Sequence, residues 1–166
     1  MRSQWICSEK LEHILAALMP ENRLACEISL ATGLRIGDVL RLKPEQVRPD
    51  RARFTIKEEK TGKSRMCYLP LELRDRAYDN AGRYWVFEHR TNPLKRRTRQ
   101  AIFKDLRRAA KAFRVKEHVS PHSMRKVFAV EYFEKSGGNL RKVQDLLNHS
   151  NEAVTMIYAM ANKIKS

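Results

Sequence analysis

Arg51-Ala52-Arg53-Phe54-Thr55-Ile56-Lys57 is the stretch whose reading settles the fold class. Ala52, Phe54 and Ile56 alternate with Arg53, Thr55 and Lys57, the period of two expected of a half-buried strand. Lys60-Thr61-Gly62-Lys63 follows as a turn, and Arg65 to Leu69 reads as the returning strand. The pair predicts a β-hairpin with a basic tip, set within a chain whose other apolar residues mostly recur at helical spacing.

Upstream, Ser8 is placed to cap a helix carrying Leu11, Ile14, Leu15 and Leu18, which Pro20 ends. A second apolar stretch, Leu24 to Ala31, stops at Thr32-Gly33, and a short helix follows with Ile36, Val39 and Leu40 on one face. Downstream, Pro70 starts a helix and Trp85-Val86-Phe87 reads as a short third strand. From Thr98 onward Ile102, Leu106, Ala109 and Phe113 form a buried stripe. Pro121 introduces a helix to about Lys135, stopped by Gly137-Gly138; Asn139 caps the next, and Ser150 caps a last one that holds Tyr158. There is no internal repeat or long linker, so residues 1–166 are read as one domain. The expected fold is α+β, mainly helical, with a small antiparallel sheet on one edge.

Charge narrows the function. Lys and Arg number 34 against 19 acidic residues, a net charge of +15, and the sequence pI is about 10.1. Such an excess repels itself in a compact chain and implies a polyanionic partner, nucleic acid before an acidic membrane. Between Arg83 and Lys116 there are 12 basic and 2 acidic residues, including Lys104, Arg107, Arg108 and Lys111 opposite the apolar stripe. That concentration favours a phosphate-facing surface. No apolar run approaches the ~20 residues of a membrane span, and the N-terminus has no signal-peptide core. Cys7, Cys26 and Cys67 are odd in number and scattered, as expected of reduced thiols in a cytoplasmic protein.

Several motifs fail on inspection. Thr61-Gly62-Lys63-Ser64 lacks the first glycine of a phosphate-binding loop, whose place is taken by Lys57. His118 and His122 are four apart but have no Cys pair or carboxylate cluster to complete a zinc site. No Gly-x-Ser-x-Gly elbow is present. Neither a metal nor an organic cofactor is expected.

What remains is a dispersed set of boxes. Arg35 stands in Ala31-Thr32-Gly33-Leu34-Arg35-Ile36-Gly37-Asp38, and Lys60 at the hairpin tip. His122 and Arg125 lie in His122-Ser123-Met124-Arg125, His149 in Leu146-Leu147-Asn148-His149-Ser150, and Tyr158 in Met156-Ile157-Tyr158. In that order, over about Ala25 to Tyr158, they resemble the Arg box, hairpin lysine, His-x-x-Arg box and terminal His…Tyr of the tyrosine recombinase (phage integrase) family. Thr98-Arg99-Gln100 is also similar to a recurrent stretch of that family.

The resemblance implies a metal-independent DNA-cutting and DNA-joining catalytic domain. Its chemistry explains these residue types. A tyrosine phenol attacks phosphorus and keeps the bond energy in a covalent phosphotyrosine; that role falls to Tyr158. Guanidinium forks match the non-bridging oxygens of the transition state and stay charged, which suits Arg35 and Arg125. His122 and Arg125 are three apart on a helix whose N-terminal amides favour an anion. By resemblance His122 and His149 bond the phosphate or move protons, and Lys60, with Lys63 as runner-up, protonates the departing 5′ oxygen. Asp38 falls where the family often carries a supporting acidic residue. Lys63, Arg65, Arg96, Arg97 and Arg99 are expected to face DNA.

Asn148 replaces the usual glycine before the second histidine, an exchange asparagine tolerates because it accepts left-handed backbone. Met124 stands where leucine is commoner, and Lys126 where histidine often follows the arginine. Typical members carry an N-terminal helical DNA-binding domain for which these 166 residues leave no room, so the chain is read as an isolated or minimal catalytic domain. The implied partners are double-stranded DNA and further copies of the chain, a tetramer on DNA and a monomer when free. Bound protein would be nucleoid-associated. Two other readings compete: type IB topoisomerase-like relaxation of DNA, and a regulator that binds DNA without cutting it.

Overall fold

The computed structural model describes residues 6–148 and Asn151. Helix α1 spans Ser8–Ala16 and buries Leu11, Ile14 and Leu15. Its N-cap is Cys7, with no side-chain capping bond, so Ser8 is the first helical residue and not the cap expected of it. Pro20 opens helix α2, Pro20–Thr32, because a proline in the first turn gives up only an N–H that has no helical partner. Gly33, at φ 68°, ends α2 in the left-handed conformation that only glycine adopts without strain. Helix α3 is a single turn, Ile36–Val39, followed by a 3-10 turn at Pro44–Gln46.

The hairpin forms as the alternation predicts. Strand β1, Arg53–Lys57, pairs antiparallel with β2, Ser64–Tyr68, with Phe54 opposite Cys67 and Ile56 opposite Arg65. Helix α4 spans Leu71–Asn80. The expected third strand at Trp85–Phe87 is absent. Val86 donates its N–H to the Leu42 carbonyl at 3.0 Å, Phe87 accepts from Arg97 N at 2.7 Å, and both side chains are buried. Backbone groups committed to a loop leave no ladder to join. A second hairpin follows instead, β3 (Glu88–His89) with β4 (Asn92–Arg96), forming its own two-stranded sheet. Pro93 is tolerated there because both strands are edges.

Helix α5, Arg99–Ala112, is capped by Thr98, whose hydroxyl accepts from Ala101 N at 3.2 Å. It buries Ile102, Leu106 and Ala109, but ends before Phe113, which is exposed and stacks on His13 at 5.9 Å. Helix α6 spans Pro121–Lys135 and packs against α2. Helix α7, Leu140–Leu146, starts from Asn139, whose side chain accepts from Lys142 N at 3.1 Å. One apolar core joins α1 to α6, and a smaller cluster of Ala129, Val143 and Leu147 with Phe128 and Tyr132 fastens α7 to α6.

A buried polar joint locks α5 to the start of α2. Asp105 Oδ2 accepts from Met19 N at 2.8 Å and from Asn22 Nδ2 at 2.7 Å, while Arg108 Nη2 reaches Oδ1 at 2.6 Å.

Candidate active site

The site grows from the turn between α2 and α3. Thr32 Oγ1 donates to the Ile28 carbonyl at 2.7 Å, and Ser29 Oγ to the Leu34 carbonyl at 2.7 Å. These bonds, with the left-handed Gly33, hold Thr32-Gly33-Leu34-Arg35 in one shape. Arg35 is the N-cap of α3, on extended backbone that directs it away from the helix. Its Nη1 donates to Glu58 Oε2 at 3.0 Å.

Glu58 was not singled out from the sequence. Its carboxylate is 1% exposed and lies between two guanidiniums, with Arg65 Nη1 3.6 Å from its other oxygen. The signal for it was parity: Phe54 and Ile56 face inward, and the next residue of that register is Glu58. The same parity accounts for Arg65, which was expected to face DNA. Arg65 is 7% exposed, shares the inward face with Cys67 and Leu69, and donates Nη2 to the Thr32 carbonyl. It braces the site from inside the fold.

The hairpin turn is closed by Glu58 N donating to the Lys63 carbonyl at 2.9 Å and Gly62 N to the Glu58 carbonyl at 2.9 Å. Thr61 Oγ1 donates to Glu58 Oε2 at 3.3 Å. Lys60 and Lys63 are both exposed on this turn. Asp38 ties the same turn to α3: its Oδ1 accepts from Glu59 N at 2.9 Å and from Arg41 Nη1 at 3.4 Å. Burial pushes the Asp38 carboxyl above the ordinary aspartate range, more strongly than the Glu59 amide and the arginines lower it.

Arg125 is 0% exposed, on the first turns of α6. Nη1 donates to the Gly33 carbonyl at 2.5 Å and Nη2 to the Leu147 carbonyl at 2.9 Å. The second arginine therefore fastens α6 and the end of α7 to the turn that carries the first. His122, one helical turn earlier, is exposed. Asn148 has φ 51°, the left-handed conformation expected of the residue in glycine's place. His149 and Tyr158 lie outside the described residues.

Of the other basic residues, Arg99 is exposed at the start of α5 and passes close to α3. A β-carbon at Gly37 would lie 3.4 Å from Arg99 Cδ, in ordinary van der Waals contact with the arginine stem. Arg96 lies over the Trp85 ring at 5.8 Å from its centroid, and Lys43 Nζ lies over the same ring at 3.3 Å. Arg97 is half-buried and its Nε donates to Asn22 Oδ1 at 2.5 Å, joining the polar network of Asp105. Among the described residues, no helix is long and apolar enough to cross a membrane.

Known proteins resemble this chain in sequence and in fold. The chain is 29% identical over 159 residues to "Tyrosine recombinase XerA" of Thermococcus kodakarensis, covering 90% of this chain and 55% of the relative. It is 30% identical over 155 residues to the integrase of Escherichia phage P2, covering 93% and 42%. An "Integrase/recombinase" of Escherichia coli is 27% identical over 200 residues, covering 94% and 59%. The chain thus spans about half the length of the curated relatives it matches. The fold matches the catalytic domain of bacteriophage HP1 integrase with a TM-score of 0.67 at 23% identity, over 96% of this chain and 88% of that one. It matches a lambda integrase dimer bound to a COC′ core site with a TM-score of 0.75 at 19% identity, over 94% and 59%. The model of the phage integrase family aligns with residues 4–164, nearly the whole chain, and with the sequence boxes and the fold in agreement the chain belongs to that family.

Proposed function

We propose that this chain is the catalytic domain of a site-specific recombinase that cuts and rejoins double-stranded DNA through a 3′-phosphotyrosine at Tyr158. The observation that carries the reading is the convergence on one turn. Arg35 leaves the segment Thr32–Arg35, Arg125 is bonded to its Gly33 carbonyl, and the hairpin bearing Lys60 is joined to Arg35 through Glu58. These contacts support a reading in which a phosphate beside that turn would meet the two guanidiniums and the lysine.

In the reaction, the Tyr158 oxygen forms a bond to phosphorus as the bond to the 5′ oxygen breaks. The phenol proton passes to a histidine of the site, and Lys60 protonates the departing 5′ oxygen. Arg35 and Arg125 stabilise the charge that builds on the non-bridging oxygens, each worth about 10²–10³ in rate for donors of this kind. Attack by the freed 5′ hydroxyl of a partner strand reverses these steps and rejoins DNA. The electrophile is the phosphate itself, and the arginines supply the charge that a metal supplies in other strand-cutting enzymes. Strand exchange between two duplexes calls for four protomers. A further DNA-gripping domain, of the length by which the relatives exceed this chain, would complete the clamp, and the protein would work beside cytoplasmic DNA.

The test is incubation with a duplex nicked near the cleavage position, so that a short fragment diffuses away and traps the intermediate. Wild type gives a protein–DNA adduct that survives denaturing electrophoresis, with or without EDTA, and Tyr158→Phe gives none. An adduct that persists in the Phe variant moves the nucleophile elsewhere. Relaxed circles without recombinant products would identify a topoisomerase instead.

A further inference from the structure

We propose that Glu58 is a positioning residue for strand cleavage, setting Arg35 and the Lys60 turn with one carboxylate; this rests on the recombinase reading above. Three contacts converge on its two oxygens. Arg35 Nη1 lies 3.0 Å from Oε2, Thr61 Oγ1 lies 3.3 Å from the same oxygen, and Arg65 Nη1 lies 3.6 Å from Oε1. The backbone of Glu58 also closes the turn, donating to Lys63 O and accepting from Gly62 N, both at 2.9 Å. One residue therefore couples the guanidinium that would hold a non-bridging oxygen to the turn whose lysine would protonate the leaving oxygen.

Charge and cost support a role beyond holding the fold. A carboxylate at 1% exposure loses nearly all its hydration, and apolar side chains usually fill such a place with equal or better stability. Phe54 and Ile56 do so at the two preceding inward positions. Glu58 breaks that series where the hairpin passes Arg35. A single carboxylate between two guanidiniums leaves the cluster net positive, so it orients Arg35 without cancelling the attraction for a phosphate. Fixing the arginine before DNA arrives removes a reorganisation step from cleavage, whereas affinity rests on the many surface cations.

Single-turnover adduct formation on the nicked duplex, alongside DNA affinity and the thermal midpoint, tests this in the full chain. Glu58→Gln, nearly the same shape, is expected to slow cleavage about 10²-fold, the scale of a roughly 1 Å misplacement, while DNA affinity holds or rises. In an Arg35→Lys background the same change is expected to slow cleavage no more than about threefold, because the arginine that the carboxylate's charge orients is gone, while Gln keeps an oxygen for Thr61 and the backbone bonds that close the Lys60 turn. If Glu58→Gln does not fold, Glu58→Asp keeps a negative charge between Arg35 and Arg65 but draws back by one methylene, with a loss of about tenfold expected. A wild-type cleavage rate in the folded variant overturns the proposal. So do penalties that multiply in full with those of Arg35→Lys, which would mean that Glu58 acts without Arg35. Absence of any adduct from wild type defeats the recombinase reading and this inference with it; a wild-type adduct with an unimpaired Glu58 variant defeats only this one.

Discussion

Arg125 donates to the carbonyl of Gly33 at 2.5 Å, so the buried guanidinium of α6 is fastened to the turn that presents Arg35. Its second prong takes the Leu147 carbonyl at 2.9 Å, at the end of α7 and two residues before His149. A single side chain thus gathers three segments of the candidate site.

Removing that side chain should be costly to the fold as well as to chemistry. Arg125→Ala strands two carbonyls that now receive charged hydrogen bonds, each worth about 1.5–3 kcal/mol. We expect a loss of about 3 kcal/mol or more in denaturant unfolding and no detectable adduct. Arg125→Lys, with one nitrogen in place of a fork, should recover stability only in part and leave cleavage impaired.

Two glycines with nearly the same backbone angle should respond differently to alanine. Gly33 has φ 68°, and a β-carbon there would lie 2.4 Å from Phe128 Cδ1. Gly62 has φ 67° with nothing within 4 Å of such a carbon. Gly62→Ala should cost only the left-handed backbone penalty, about 1 kcal/mol. Gly33→Ala adds displacement of Phe128 and disturbs the carbonyl that Arg125 holds, so a loss of about 3 kcal/mol is expected. Equal losses would show that Phe128 moves aside freely.

The Asp105 joint should be visible in acid. Burial alone would raise this carboxyl, but hydrogen bonds from Asn22, the Met19 amide and Arg108, with the Arg108 charge, hold it below the ordinary aspartate range. A depressed carboxylate stabilises the fold above its unfolded value, about 3.9, and that contribution is lost as pH falls through the lower, folded value. Asp105→Asn should therefore be less stable than wild type at neutral pH, by about 1.5–3 kcal/mol. The gap should narrow below about pH 4. A constant gap from pH 7 to pH 3 would contradict the assignment.

The placement of Arg65 and Arg99 predicts opposite signatures. On the proposed function exposed Arg99 would neutralise a phosphate, so Arg99→Ala should reduce the slope of log affinity against log salt by about 1 and leave the melting temperature nearly unchanged. Buried Arg65 supports Thr32 and Glu58, so Arg65→Ala should leave that slope unchanged and lower the melting temperature by several degrees. Filter-binding or anisotropy titrations across salt, with thermal melts, separate the two.

Much of this molecule was legible in one dimension. Alternation located the β1–β2 hairpin, three-and-four spacing located the stripe of α5, and Asn139 caps the helix assigned to it. These are local signals, because a period or a cap depends on a few neighbouring residues. The order of the Arg, Lys, His-x-x-Arg and His…Tyr boxes was equally plain, and it named the family that the comparisons support. The tertiary structure alone decided which cations face outward and what holds the others. Arg35 meets Glu58 across 23 positions and Arg125 meets Gly33 across 92, distances over which periodicity carries no information. The short β3–β4 pair and the loop at Trp85–Phe87 were likewise decided by where the Leu42 carbonyl and the Arg97 amide lay. Residue types and local periods determined the elements and the candidate chemistry; the meeting of distant backbone carbonyls and one buried carboxylate determined the site, because hydrogen bonds and ion pairs act through space at about 3 Å, not along the chain.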